Sequence, residues 1–404
     1  MKKLILIIIV ALCANIVNAQ WQQVTMGGSY YVTCTASDSS YLYVGTGLDG
    51  VFLSKDCGNT WMQANNGLPI DTIFMNFVSI TDLKTIGPNI IAVTSDGNIG
   101  SIFISYNNAY SWYEIHNGLP LNSYITSIST NDSVIFITTG NNDGTEPQNN
   151  AAYYSTNLGA NWISLNTPTF CSPYIIGVKD SHIYVGVWGC GLYLSNNLGA
   201  TWSNVNSNDP LSIVFKDSLI FIGTGNGIFL SSNFGGLWTS VNNGLTDLNI
   251  YVVDIINGTL FTIPLSGDIY YSTNNGNLWV PFNDGITNGY CLNIIACESN
   301  LFVGNSEGLW IRSFSDITTS PQINNSTSNF ILYPNPSNGN FIFKSNDKIK
   351  SIEVTNMLEE IIYHTTSVNA QIVNEINLSG SPKGIYFVKV DNGEQVHIEK
   401  VVLN

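Results

Sequence analysis

The side chains in this chain that could perform acid–base chemistry are carboxylates in short glycine-containing stretches. Asp49 precedes Gly50, Asp96 precedes Gly97, Asp268 follows Gly267 and Glu307 precedes Gly308, while Asp143 and Glu146 lie in the longer segment 139–150. Hydrolysis of a glycosidic bond needs two carboxyl groups roughly 5–10 Å apart, one to donate a proton and one to assist attack. The spacing of these acids singles out no pair. Each is equally suited to a solvated turn, where Asp bonds its own backbone and Gly supplies φ > 0. The four histidines (His116, His182, His364, His397) and the cysteines lack metal-ligand spacing, so no catalytic residue, metal or cofactor is assigned. Trp188, beside Gly189 and Cys190, offers a different kind of site: an indole there can stack on a sugar ring, hold a partner's side chain, or simply fill space.

The framework that must position these residues is repeated. Ser54, Asp56, Gly58 and Trp61 recur at the same internal spacing as Ser105, Asn107, Ala109 and Trp112; Ser155, Asn157, Gly159 and Trp162; Ser195, Asn197, Gly199 and Trp202; Ser231, Asn233, Gly235 and Trp238; and Ser272, Asn274, Gly276 and Trp279. An Asp or Asn side chain can bond backbone N–H groups two residues on, and Gly takes φ > 0. Each copy is therefore a tight turn between an apolar strand and one headed by Trp. The Trp can bury roughly 150–250 Å², on the order of 4–6 kcal/mol at about 25 cal/mol/Å², an upper bound for a compact unfolded state.

From residue 20 to about 315 the chain alternates short apolar strands with Gly and Asn, and shows no amphipathic helix. Each unit offers four strands, and the inner hairpin recurs seven times. A four-stranded unit of roughly 40–45 residues, repeated radially, predicts a seven-bladed β-propeller. The seventh hairpin ends at Trp310, Ile311 and Arg312 without a box, while the chain begins with an orphan strand at Trp21 that looks like the one at Trp61. The N-terminal strand is expected to complete blade seven and remove the open edges. On this topology the box turns share one face. The loops from second to third strand, and from fourth strand to the next blade, share the other, and there the carboxylates and Trp188 fall.

The box resembles the Asp-box, or bacterial neuraminidase (BNR), repeat Ser-x-Asp-x-Gly-x-x-Trp. It departs in that only Asp56 keeps the Asp and Ala109 replaces a Gly; Asn still caps a turn. The resemblance implies a sialidase-like propeller fold. It does not carry the sialidase reaction, which clamps a substrate carboxylate with three arginines, a role Lys fills poorly, because Arg312 is the only arginine. Asp-box propellers also occur in xyloglucanase-like glycoside hydrolases, which typically place their cleft between two propellers; one is expected here.

The two ends complete the reading. Residues 1–19 carry a basic tip, an apolar run and Val17, Asn18 and Ala19 before Gln20, the pattern of a secretory signal peptide too short to span a membrane. Leu12 before Cys13 is not the small residue of a lipobox, and no later stretch approaches the roughly 18 apolar residues of a span. With 13 Lys and Arg against 28 Asp and Glu the net charge is −15, which disfavours nucleic acid and anionic membranes as partners. Cys34, Cys57, Cys171, Cys190, Cys291 and Cys297 form an even set in an exported chain, permitting disulfides. Cys171 and Cys190 fall on one face of one blade and are expected to pair. Cys291 and Cys297 lie along one strand, too far apart to pair, and Cys57 is expected to be a buried or half-buried thiol.

Residues 316–329 read as a linker and 330–404 as a small β-sandwich. Tyr333, Pro334, Asn335, Pro336 and Gly339 near its start, and Gly384, Tyr386 and Lys400 near its end, resemble the type A C-terminal sorting domain of type IX secretion in Bacteroidetes. That resemblance implies recognition by the outer-membrane translocon, removal of the domain, and release or attachment of the propeller at the cell surface. The sequence predicts an all-β, secreted or cell-surface protein: signal peptide 1–19, propeller 20–315, linker 316–329, sorting domain 330–404. The propeller face is expected to bind a glycan or protein partner. The alternative is a glycoside hydrolase using paired carboxylates at the channel mouth.

Overall fold

The computed structural model describes residues 20–404 apart from 29, 39–40, 71–75, 97–98, 121–123, 132, 141–150, 168–171, 287–288, 318–329, 334–336, 338, 346–348, 357–359, 367–373, 392–395 and 404. The expected signal peptide and most of the expected linker lie outside the described residues. Two compact units divide the chain between Ile317 and Thr318.

The first unit is the seven-bladed propeller, built as seven four-stranded antiparallel sheets. Blade 1 runs outward through Val32–Ser37, Leu42–Thr46, Val51–Ser54 and Met62–Gln63. Its second strand is buried along its whole length, as a strand covered on both faces by neighbouring blades must be, and its sequence is correspondingly a continuous apolar run rather than an alternation. The innermost strands pack one against the next around a ring, and the last, Cys291–Cys297, packs against the first, Val32–Ser37. Blade 7 takes its outermost strand from the start of the chain: Gln22 lies opposite Ile311, Gln23 opposite Trp310 and Val24 opposite Leu309.

The box turns share one hydrogen-bond set. Ser54 Oγ accepts from the Gly58 N–H at 2.7 Å and donates to Asp56 Oδ1 at 2.8 Å, while that oxygen accepts from the Thr60 N–H at 2.8 Å. The Asp bond thus reaches four residues ahead rather than two. The other five turns repeat the arrangement with Asn. They can do so because the bond asks only for an sp² oxygen, which Asn and Asp both supply. The residue before the Gly position is left-handed in every turn, from Cys57 at φ +48° to Phe234 at +56°, and Ala109 takes φ +63° where the other boxes have Gly.

The closing Trp joins each blade to the one before it. The indole N–H groups of Trp112, Trp162, Trp202, Trp238 and Trp279 donate to the carbonyls of Ala64, Ile115, Asn166, Val205 and Val241. Trp21 does the same from blade 7 to Phe282 at 2.6 Å. At four junctions a second repeated element tightens the contact. Gly67, Gly118, Gly244 and Gly285 have φ of +96° to +99°, and a Cβ on any of them would meet the carbonyl oxygen of the next Trp at 2.3–2.7 Å.

The junction between blades 7 and 1 differs. Trp61 donates to Gly58 O of its own turn. What joins the blades here is a disulfide between Cys57, in the blade 1 box turn, and Cys297, at the end of the innermost strand of blade 7. This corrects the expectation that Cys57 is a thiol. Box turns and the turns between first and second strands lie on the same face, so ring closure brings these two Cα atoms to 5.5 Å, within the range a disulfide requires. Cys190 is also disulfide-bonded; its expected partner Cys171 lies outside the described residues. Cys34 and Cys291 are free and buried. Burial raises both thiol pKa values, that of Cys291 to about 12, so neither is a reactive thiolate at neutral pH.

Blade 7 is finished by Arg312, which is buried. Its guanidinium lies 3.8 Å from the centre of the Phe282 ring and its Nε is 3.3 Å from Asp316 Oδ2. Ile317 packs in the same core, so the propeller unit extends two residues past the expected boundary at 315.

The second unit is a two-sheet sandwich. One sheet orders Phe330–Tyr333, Asn340–Ser345 and Asn374–Asn377; the other orders Ile361–Thr365, Ser351–Asn356, Gly384–Asp391 and Val396–Leu403. Phe341 and Ile376 from the first sheet and Ile352, Val388 and Val401 from the second share one core. Tyr386 is buried and donates to Pro382 O at 2.7 Å, and Gly339 takes φ +115°. Pro334, Asn335 and Pro336 lie outside the described residues.

Two outcomes are expected. Replacing both Cys57 and Cys297 by Ala lowers stability by about 2–5 kcal/mol in urea unfolding, because the bridge closes a long loop in the unfolded chain. The pKa of Asp56 is lowered, first by the Thr60 hydroxyl and then by the Thr60 N–H. Its stabilising effect is therefore present above the ordinary carboxylate range and lost as pH falls through the depressed value. Unfolding measured across acid pH should show Asp56→Asn matching the parent near neutrality and losing that part of the acid dependence.

Candidate functional site

Strand direction assigns the two faces. The loops from second to third strands and from fourth strands to the next blade lie opposite the box turns. On this loop face the expected carboxylates among the described residues are spread over four blades, and those of Asp96 and Asp268 accept hydrogen bonds there. Asp49 is half-buried, with its N–H donating to Thr46 Oγ1. Asp96 accepts from the Ile99 N–H at 2.7 Å. Asp268 accepts from Asn283 Nδ2 and Ser266 Oγ, and Glu307 donates its N–H to Asn305 Oδ1. Asp143 and Glu146 lie outside the described residues.

Trp188 is 64% exposed and meets Tyr174 edge-on, with ring centroids 5.4 Å apart. Its turn is held by Asp209, whose two carboxylate oxygens accept from the N–H groups of Gly189 and Gly191 at 2.8 and 3.0 Å. The indole is thus presented outward by a braced turn rather than filling the blade.

A large, mainly apolar opening on this face was not anticipated. A groove of about 710 Å³ crosses blades 6, 7 and 1, lined by Tyr31, Tyr251, Leu265 and Tyr290 with Pro264, Val252 and Leu292 beneath. Those first four side chains are 50–65% exposed, a concentration of large apolar surface that marks binding sites more often than bare surface. Asp247 stands at its edge, its two oxygens accepting from the N–H groups of Asn249 and Ser266. The recoverable signal is positional. Tyr31 and Tyr290 immediately precede the first paired residue of an innermost strand, Tyr124 is that residue in its own strand, and Tyr174 and Tyr251 immediately follow it.

The groove meets the central channel, whose walls share Val252 and Leu292. The channel encloses about 600 Å³ and is polar, with Thr33, Thr35, Ser127, Ser129 and Asn293 among its walls. Its charges are Lys84, Asp82 and Asp254. Lys84 Nζ lies 3.8 Å from Asp82 Oδ1. Asp82 first and Asp254 next raise the Lys84 pKa, while burial raises both carboxyl groups and Lys84 opposes that rise. Asp82 and Asp254 are thus held above the ordinary carboxylate range by burial, with Lys84 as their counter-charge. Among the described residues no group of three or more His, Cys, Asp or Glu is placed to hold a metal ion.

No curated protein matches the chain. Solved structures match its fold. YCF48 bound to D1 peptide superimposes with a TM-score of 0.56 at 14% identity, over 73% of this chain and 96% of that one. PorZ, an essential bacterial surface component of the type-IX secretion system of Porphyromonas gingivalis, gives 0.52 at 12%, over 94% of this chain, which spans 60% of PorZ. The Niastella koreensis GH74 enzyme gives 0.51 at 13%, over 95% and 74%. Residues 331–404 match the family described as the secretion system C-terminal sorting domain. The chain thus carries a type IX sorting tail behind a β-propeller and is exported, to the cell surface or beyond it.

Proposed function

We propose that the propeller is an Asp-box (BNR-type) binding module, delivered to the cell surface or secreted through its sorting domain, and that its loop face recognises a glycan or protein partner without transforming it. The observation that carries this reading is the groove of Tyr31, Tyr251, Leu265 and Tyr290, while the loop carboxylates Asp96 and Asp268 act as turn acceptors. Exposed tyrosines around a concavity supply contact area at little conformational cost and carry hydroxyls that can satisfy polar partners. That a YCF48 propeller has been solved with a bound peptide lends the fold's capacity for such binding. The sorting domain engages the translocon and is removed or used for attachment at the surface.

The test is binding of the purified full chain to a panel of polysaccharides, mucins and peptides, scored with release of reducing ends. Binding without product is expected, falling at least about tenfold in Tyr251→Ala/Tyr290→Ala and less in Trp188→Ala, on the far side of the ring. Product formation would sink the binding-module reading.

The second reading, a glycoside hydrolase like the GH74 enzymes, draws its support from the channel carboxylates Asp82 and Asp254. The two readings separate through Lys84. Carboxyl groups with raised pKa bind protons more tightly folded than unfolded, so their contribution to stability declines as pH rises above the ordinary carboxylate range. If Lys84 serves only as their counter-charge, Lys84→Met loses stability at pH 7.5 and regains much of it at pH 5 in urea unfolding. A catalytic channel would instead show hydrolysis that disappears in Asp254→Asn.

A further inference from the structure

Charge is divided unevenly over the propeller. Between residues 20 and 317 the only Lys and Arg are Lys55, Lys84, Lys179, Lys216 and Arg312. Lys55 lies in a box turn, where it meets the Tyr110 hydroxyl. Lys179 and Lys216 end innermost strands at the box face, and Lys216 is bonded to Gly258 O and Asn275 Oδ1. Arg312 is buried at the box-face end of blade 7, and Lys84 lines the channel. The loop face carries no Lys or Arg. His116, beside Glu114 at 3.6 Å, is its one basic side chain among the described residues, against Asp49, Asp209, Asp247, Asp268, Asp284 and Glu307.

The groove itself says what sits between those charges. Its polar side-chain atoms are those of Asp247, Ser266 and the tyrosine hydroxyls, and both Asp247 oxygens already accept backbone N–H groups. A sugar ring presents many hydroxyls and needs several polar side chains with unused capacity; this groove offers few. A large apolar side chain needs only the walls of Tyr31, Tyr251, Leu265 and Tyr290. Because hydrogen bonds from N–H groups leave a carboxylate charged, Asp247 keeps its attraction for a cation at the groove edge.

We infer that the loop-face ligand is a basic peptide segment that seats one large aromatic or aliphatic side chain in the Tyr31–Tyr251–Tyr290 groove, with flanking Lys or Arg side chains meeting the surrounding carboxylates. This inference rests on the binding-module reading and narrows its ligand to one class. The acidic rim steers such a segment toward the groove and turns away acidic chains, so selectivity comes from charge and affinity from the apolar anchor.

The experiment is panning of the full chain with a phage-displayed random library of about twelve-residue peptides at low salt, with Tyr251→Ala/Tyr290→Ala as the counter-target. Both substituted side chains are more than half exposed, and near-UV circular dichroism checks that the variant is folded. Enriched peptides should be cationic with a large apolar residue. The tightest should lose about tenfold in affinity between roughly 50 and 500 mM NaCl, as charge attraction is screened, and at least about tenfold on the double variant. Acidic or neutral winners, equal recovery on the variant, or no enrichment overturn the inference. A glycan that binds through the same tyrosines, found in a parallel glycan array with no peptide enriched, overturns it while leaving the binding-module reading standing. Hydrolysis of a glycan overturns both.

Discussion

The indole N–H of each closing tryptophan holds the ring together, because it is the polar contact that every blade from 2 to 7 makes to the blade before it. Single hydrogen bonds of this kind contribute only about 1 kcal/mol net, yet they fix blade-to-blade geometry with a direction that apolar packing lacks. The box turn exists to deliver that indole. Its Ser and Asp or Asn bonds freeze the reversal before Trp, and the glycines at four junctions let the neighbouring backbone approach the Trp carbonyl closely. Between blades 7 and 1 the indole turns back on its own blade, and a covalent bond spans the junction instead.

The two faces carry different devices. Box turns, the turns between first and second strands, the Cys57–Cys297 disulfide and the cationic side chains other than Lys84 are gathered on the box face. The loop face keeps braced turns whose tips carry carboxylates and exposed aromatic side chains. Two of the loop carboxylates, Asp96 and Asp268, accept hydrogen bonds within the reversals that hold their loops in place. The channel behaves differently. Lys84 stands between two carboxylates there, and the charge balance of that site is local rather than part of the general acidity of the surface.

The blades were legible because Ser, Asx, Gly and Trp must keep a fixed spacing for the turn to close, and the strand at Trp21 was recognisable from its likeness to the one at Trp61. The Cys57–Cys297 bridge was not, since only ring closure brings residues 240 positions apart together. The tyrosine groove was hidden for the same reason. Tyr31, Tyr251 and Tyr290 are ordinary aromatic residues at strand starts until three blades converge on one cavity. Asp82 and Lys84 read as the polar side of an alternating strand, and nothing local says that this side faces an enclosed channel instead of open solvent.

The pairing of Gln22–Val24 with Leu309–Ile311 sets an order of events. The strand synthesised first in the propeller has to wait, unpaired, until nearly the whole domain has followed it, and this large sequence separation makes the last blade the slow, non-local step of folding. Blades 1 to 6 can assemble from their own contiguous strands as the chain emerges; blade 7 cannot. A disulfide between Cys57 and Cys297 persists only in an oxidising compartment. Once formed it ties the first blade to the last covalently, so the closed ring is held by a bond that the reducing cytoplasm would not keep.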